Sequence, residues 1–150
     1  MSTSPWWYLD SSVLLRAAMG DSSFADCWLT ECASRKEGVF ASVWLATEVR
    51  RVAHNRRLRG EKDITAAVEA RLSGVELTAI DAELFDEAAE IPAVLRAGDA
   101  LHLATALRLA KYGADVVVVT HDVQLAAAAA TVGLRVFDPV TDDPSRPPVA

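Results

Sequence analysis

The run Val116-Val117-Val118-Val119 decides the fold class. Side chains alternate between the two faces of a strand, so a strand of four valines is apolar on both. Only a strand covered by helices on each side, as in the interior of a parallel sheet, accommodates that. Four more segments rich in aliphatic and aromatic residues read as strands, at 6–9, 39–41, 75–80 and 134–137. Between them, helical spacing predicts helices over about 11–18, 22–36, 42–58, 62–72, 81–91, 99–112 and 122–130. Gly38, Gly74, Gly113 and Gly133 fall between a helix and the next strand, where C-terminal caps belong. Strand and helix in alternation imply right-handed crossovers. The expected fold is α/β, a three-layer α/β/α sandwich around a five-stranded, mainly parallel sheet, with ligands beyond the carboxyl ends of the strands.

With 150 residues, 51% of them hydrophobic, the chain can build one core, expected over 1–138. The tail 139–150 holds four of the six prolines and few apolar residues, and is expected to be flexible. No window approaches the roughly 18–20 apolar residues of a membrane helix, and no partner membrane is expected. The N-terminus has no basic residue ahead of its short apolar run, which argues against a secretory signal and for a cytoplasmic protein. Cys27 and Cys32 are five apart on one expected helix, too far around it to pair, and are read as buried free thiols. The formal charge of −6 argues against coating nucleic acid through bulk electrostatics. It does not exclude a nucleic-acid enzyme in which bound cations reverse the local sign.

Acidic residues recur where such a sheet would present them. Asp10 follows the first strand directly, in Leu9-Asp10-Ser11-Ser12, and the fourth ends in Thr120-His121-Asp122. These two strands would be neighbours in a sheet that reverses direction between them. Glu48 lies about a turn and a half into a helix among apolar neighbours, and Asp99 opens another in Gly98-Asp99-Ala100-Leu101-His102-Leu103-Ala104-Thr105-Ala106. Taken singly, each acid also suits a cap or a surface position. Brought together, four carboxylates repel, and they are tolerable only with protons or hard cations such as Mg²⁺ or Mn²⁺. Ser11, Ser12 and Thr120 are candidate donors that hold those carboxylates. His102, three residues after Asp99, is expected as a packed imidazole supporting the site. His121 is read as surface or substrate-facing and His54 as solvent-side. Arg50, Arg51, Arg56, Arg57, Arg59 and Lys62 crowd thirteen positions after Glu48, either as contacts to RNA phosphates or as a solvated helix face.

Together, Asp10-Ser11-Ser12 after a first strand, Thr47-Glu48, the Gly98 to Ala106 segment and Thr120-His121-Asp122 resemble a PIN domain of the VapC toxin ribonuclease type, across nearly the whole chain to about residue 138. That resemblance implies an endoribonuclease of a toxin–antitoxin pair, dependent on Mg²⁺ or Mn²⁺, that cleaves RNA phosphodiesters with metal-activated water. By position it makes Asp10, Glu48, Asp99 and Asp122 the catalytic, metal-site acids, with Glu48 bound directly or through a water. It also implies a homodimer and a small VapB-like antitoxin as partner. A non-catalytic RNA- or antitoxin-binding module of the same fold, or a DNA nuclease, are the alternatives; the complete acid set argues against the first.

Overall fold

The structure, a computed structural model, describes residues 4–142. Five strands, β1 (Trp6–Leu9), β2 (Val39–Ser42), β3 (Glu76–Thr78), β4 (Val116–Val119) and β5 (Arg135–Phe137), form one sheet in the order β3-β2-β1-β4-β5. Every pairing is parallel, so the sheet is wholly and not mainly parallel. The helices are α1 (Ser11–Met19), α2 (Ser23–Ser34), α3 (Val43–Leu58), α4 (Thr65–Leu72), α5 (Ala82–Ala89), α6 (Ala97–Lys111) and α7 (Val123–Thr131).

Strand alternation divides the core. Trp7, Leu9, Val117 and Val119 point to one face and pack with Val13, Leu14, Trp28 and Leu45 of α1, α2 and α3. Tyr8, Val116 and Val118 point to the other and pack with Leu103, Ala106 and Leu125 of α6 and α7. All four valines of β4 are buried, each stabilising the fold by about 1.5–3 kcal/mol relative to exposure. This is the sandwich that the valine run predicts.

From β1 the chain adds β2 and β3 on one side, then crosses to lay β4 and β5 on the other. The sheet therefore changes direction between β1 and β4, and connections leave their carboxyl ends in opposite senses, opening a crevice there. Asp10 and Thr120 are the first residues beyond those two ends.

Several local expectations change. Gly113 and Gly133 take the left-handed backbone of a cap, at φ 92° and 86°. Gly38 does not. The left-handed residue after α2 is Lys36, and Gly38 instead clears the Phe40 ring, since a Cβ there would lie 2.5 Å from Phe40 Cε2. Gly74 likewise lacks a positive φ. Cys27 is exposed while Cys32 is buried, because five residues turn the helix by about 140° and only one of the two can face the core. Burial and the neighbouring Glu37 carboxylate push the Cys32 thiol up to about 12. Among the described residues no helix is long and apolar enough to cross a membrane. After β5, Asp138 and Asp142 close a turn, with Val140 N–H donating to Asp138 Oδ1 at 2.9 Å and Asp138 N–H to Asp142 Oδ2 at 2.7 Å. The rest of the proline-rich tail lies outside the described residues.

Candidate active site

Asp10 occupies the N-cap position of α1, yet its carboxylate makes no capping bond. Oδ2 accepts instead from Ser12 Oγ at 2.7 Å and from Thr120 Oγ1 at 2.8 Å. Ser12 Oγ in turn accepts from His121 N–H, and Thr120 Oγ1 from Asp122 N–H at 2.9 Å. Two hydroxyls, one from each side of the crevice, thus orient a carboxylate that is only 3% exposed.

Behind Asp10 lies a buried histidine. Tyr8 Oη, which accepts from Ser42 N–H, stands 3.0 Å from His102 Nδ1. Nε2 of the same ring is 3.1 and 3.2 Å from the two Glu48 oxygens and 3.9 Å from Asp10 Oδ1. Burial opposes a charge on the ring, but Tyr8, Glu48 and Asp10 outweigh it and push His102 up to about 10. At neutral pH the imidazolium is therefore an internal cation between two acids. Burial raises the Glu48 carboxyl, but the bond and charge of His102, helped by Ser11 and Trp44, hold it below its usual range. His102 is thus buried and held from both ring nitrogens, beside Tyr8 and Glu48.

Asp99 sits in the first turn of α6. Burial first, and then the negative charges of Asp10 and Asp122, raise its carboxyl above the usual range; Arg96 and His102 only partly offset them. Asp122 caps α7, its Oδ1 accepting from Gln124 N–H at 2.8 Å and Leu125 N–H at 3.1 Å. The four acids therefore share one neighbourhood. Among the described residues, however, no three His, Cys, Asp or Glu side chains form a group that could hold a metal ion, contrary to the expectation of direct convergence. The physical reason is visible: Glu48 turns both oxygens to His102, and Asp122 commits one to a helix end. The donor set nonetheless fits a hard divalent cation. It is all carboxylate oxygen, and the ionisation of Asp99 is opposed by its acidic neighbours, a penalty that a cation would relieve.

A cleft of about 450 Å³ opens from Glu48 and Asp99 between α1, α3 and the start of α6, with Leu15, Trp44 and Val52 among its walls. The basic segment divides around it. Arg50 pairs with Glu69 at 2.7 Å, while Arg56 and Arg59 both pair with Glu61. Arg57 lies 3.2 Å from His54 Nδ1. Arg51 lines the cleft and is exposed.

One further expectation fails, and three residues have roles that their sequence context does not announce. His121 is neither surface nor substrate-facing: its side chain is 2% exposed and Nδ1 lies 2.7 Å from Asp138 Oδ1, because the chain after β5 folds back over it. Tyr8, Gly98 and Arg96 carry parts of the site that sequence reading passed over. Tyr8 could have been found as the one hydroxyl in the apolar strand Trp6–Leu9. Gly98 allows α6 to approach α3: a Cβ there would lie 2.9 Å from Trp44 Nε1 and 3.1 Å from Glu48 Oε1. Arg96 lines the same cleft, 3.8 Å from Asp99.

Comparison with known proteins agrees with this architecture. No curated protein sequence matches the chain. Among solved structures, VapBC2 from Rickettsia felis bound to a DNA fragment from their promoter is similar at TM-score 0.68 and 12% identity, covering 89% of this chain and 98% of that one. PAE2754 from Pyrobaculum aerophilum is similar at TM-score 0.64 and 21% identity, covering 93% and 94%. At such identities the likeness concerns the fold. The family model of the PIN domain matches residues 7–131, a span that includes all of β1 but Trp6, all of β4 and all four acids, and the chain belongs to the PIN domain family.

Proposed function

We propose that this chain is a VapC-type endoribonuclease, the toxin of a toxin–antitoxin pair, acting with Mg²⁺ or Mn²⁺. The observation that carries the reading is the Asp10 carboxylate, fixed by Ser12 and Thr120 at the point where the sheet reverses, beside an Asp99 whose ionisation Asp10 and Asp122 oppose. Asp10, Asp99 and Asp122 are the residues to hold the cation. When bound, the ion lowers the pKa of a water and stabilises charge on the phosphoryl oxygens. Ser12 and Thr120 keep Asp10 aimed at the crevice. His102 neutralises part of the acid cluster from behind and holds Glu48 at its edge, from where Glu48 serves through a water or by turning outward. RNA as substrate, a homodimer, a cytoplasmic setting and a VapB-like antitoxin as partner belong to the same proposal; the likeness in fold to a VapBC complex supports the last.

The test is cleavage of RNA and of DNA of matched sequence by the purified protein, with and without Mg²⁺ or Mn²⁺, beside Asp99→Asn. Metal-dependent cleavage of RNA, absent from the variant, is expected. Cleavage that persists in Asp99→Asn, or in EDTA, contradicts the assignment of the acids, and equal cleavage of DNA contradicts the choice of RNA.

A further inference from the structure

The cleft beside the acids has a composition of its own. One end is acidic, with Glu48 and Asp99, while its walls are largely apolar, with Leu15, Trp44 and Val52. Its two cations, Arg51 and Arg96, differ from most arginines on the same side of the molecule. Arg50, Arg56 and Arg59 are each neutralised by a glutamate at 3.2 Å or less. Arg51 has no hydrogen-bond or ion-pair partner among the described residues, and Arg96, 87% exposed, reaches only the edge of Asp99 at 3.8 Å. Two guanidiniums are thus available at a cleft whose volume lies within the roughly 300–1,000 Å³ usual for small-ligand sites.

We propose that this cleft holds the nucleotide next to the scissile phosphate, its base unpaired against Leu15, Trp44 and Val52 and its phosphates taken by Arg51 and Arg96. The proposal rests on the nuclease reading above. A strand whose phosphate lies at Asp10 and Asp99 must run on into neighbouring space, and this cleft opens directly from Asp99 and Glu48. An acidic centre repels a polyanion, so strand binding requires cations close by, and planar guanidinium forks match phosphate oxygens. An apolar wall with an aromatic ring suits the face of a base, whereas a base held in a duplex cannot enter without leaving its stack. The cleft therefore selects single-stranded RNA, and two arginines do the work that the crowding of basic residues spread over six.

The experiment is a salt titration of binding in EDTA, where no metal-dependent cleavage intervenes, read by the fluorescence anisotropy of a short, unstructured, labelled RNA. Loss of one phosphate contact lowers the slope of log affinity against log salt by about 0.7 for single strands. Arg51→Gln and Arg96→Gln should each show that drop, and the double variant about twice as much. Arg50→Gln and Arg59→Gln should keep the wild-type slope, and the same sequence as a duplex should compete poorly. All four arginines are exposed, and thermal melts report whether each variant is folded. Unchanged slopes in Arg51→Gln and Arg96→Gln, equal competition by the duplex, or no binding by the wild type overturns the proposal. Cleavage is assayed separately with metal. Slopes that fall in a protein that never cleaves leave the cleft as a nucleic-acid site and remove the nuclease reading; cleavage with unaltered slopes does the reverse.

Discussion

Replacing Thr120 by valine keeps the shape of the side chain and removes one hydroxyl at the centre of the candidate site. In the structure that hydroxyl donates to Asp10 Oδ2 at 2.8 Å and accepts from Asp122 N–H at 2.9 Å, and Thr120 is only 1% exposed. Water cannot readily take its place. A hydrogen bond to a charged group contributes about 1.5–3 kcal/mol, and a buried N–H left without a partner costs about 1–3 kcal/mol. Asp10 keeps its bond from Ser12 at 2.7 Å, so the combined loss should fall toward the lower end of the summed range, about 3 kcal/mol. For a domain of this size that lowers Tm by about 6–12 °C. Ser12→Ala provides the comparison, because Ser12 is half-buried and water can replace its hydroxyl; its cost should be about 1 kcal/mol. The assay is urea unfolding followed by tryptophan fluorescence, which reports the packed pair Trp7 and Trp28. A Thr120→Val variant within about 0.5 kcal/mol of wild type, or one no worse than Ser12→Ala, would refute the claim that this hydroxyl ties the two sides of the crevice together.

Other consequences are as direct. His102 is pushed up to about 10 from 6.5; with the folded value above the unfolded one, its stabilisation is complete below pH 6.5 and is lost as pH rises toward 10. The loss is on the order of 5 kcal/mol; urea titrations across that range should show it and His102→Gln should flatten it, whereas a wild type of constant stability would contradict the buried cation. Asp99→Asn removes a charge that its neighbours oppose, so in EDTA it should melt above wild type, while with metal present it should lose cleavage; a lower Tm would mean that the acids do not repel one another. Gly98→Ala places a Cβ against Trp44 and Glu48 and should cost about 1–3 kcal/mol by overpacking, as well as reduce activity, and an unchanged melt would refute the close approach of α6 to α3.

The layers of this fold were legible because burial writes period into sequence. Val116 to Val119 announce a strand covered on both faces, and the helices that cover it show the matching spacing. The places of Asp10 and Thr120 followed from the same logic, since both come immediately after a strand that topology makes central. What the sequence hid depended on contacts between distant segments. The Tyr8–His102–Glu48 chain joins residues up to 94 positions apart; the hydroxyl of Tyr8 sets it apart within β1, but nothing local names His102 as its partner. His121 is buried by the turn after β5, which no reading of Thr120-His121-Asp122 could foresee. The basic run after Glu48 looked uniform, yet Glu61 and Glu69 neutralise three of its members, and only the geometry separates those from Arg51.

The central claim, that Asp10, Asp99 and Asp122 are the acids that receive a divalent cation, is tested most directly by Mn²⁺ titration of thermal stability in the wild type, Asp10→Asn and Asp99→Asn. A cation that binds only the folded protein stabilises it by about 2.7 kcal/mol at a hundred times its Kd, a rise in Tm of about 5–10 °C for this size. The account predicts a saturable rise of that order in the wild type and its loss in both variants. A rise of equal size in all three, or none in the wild type, would contradict it.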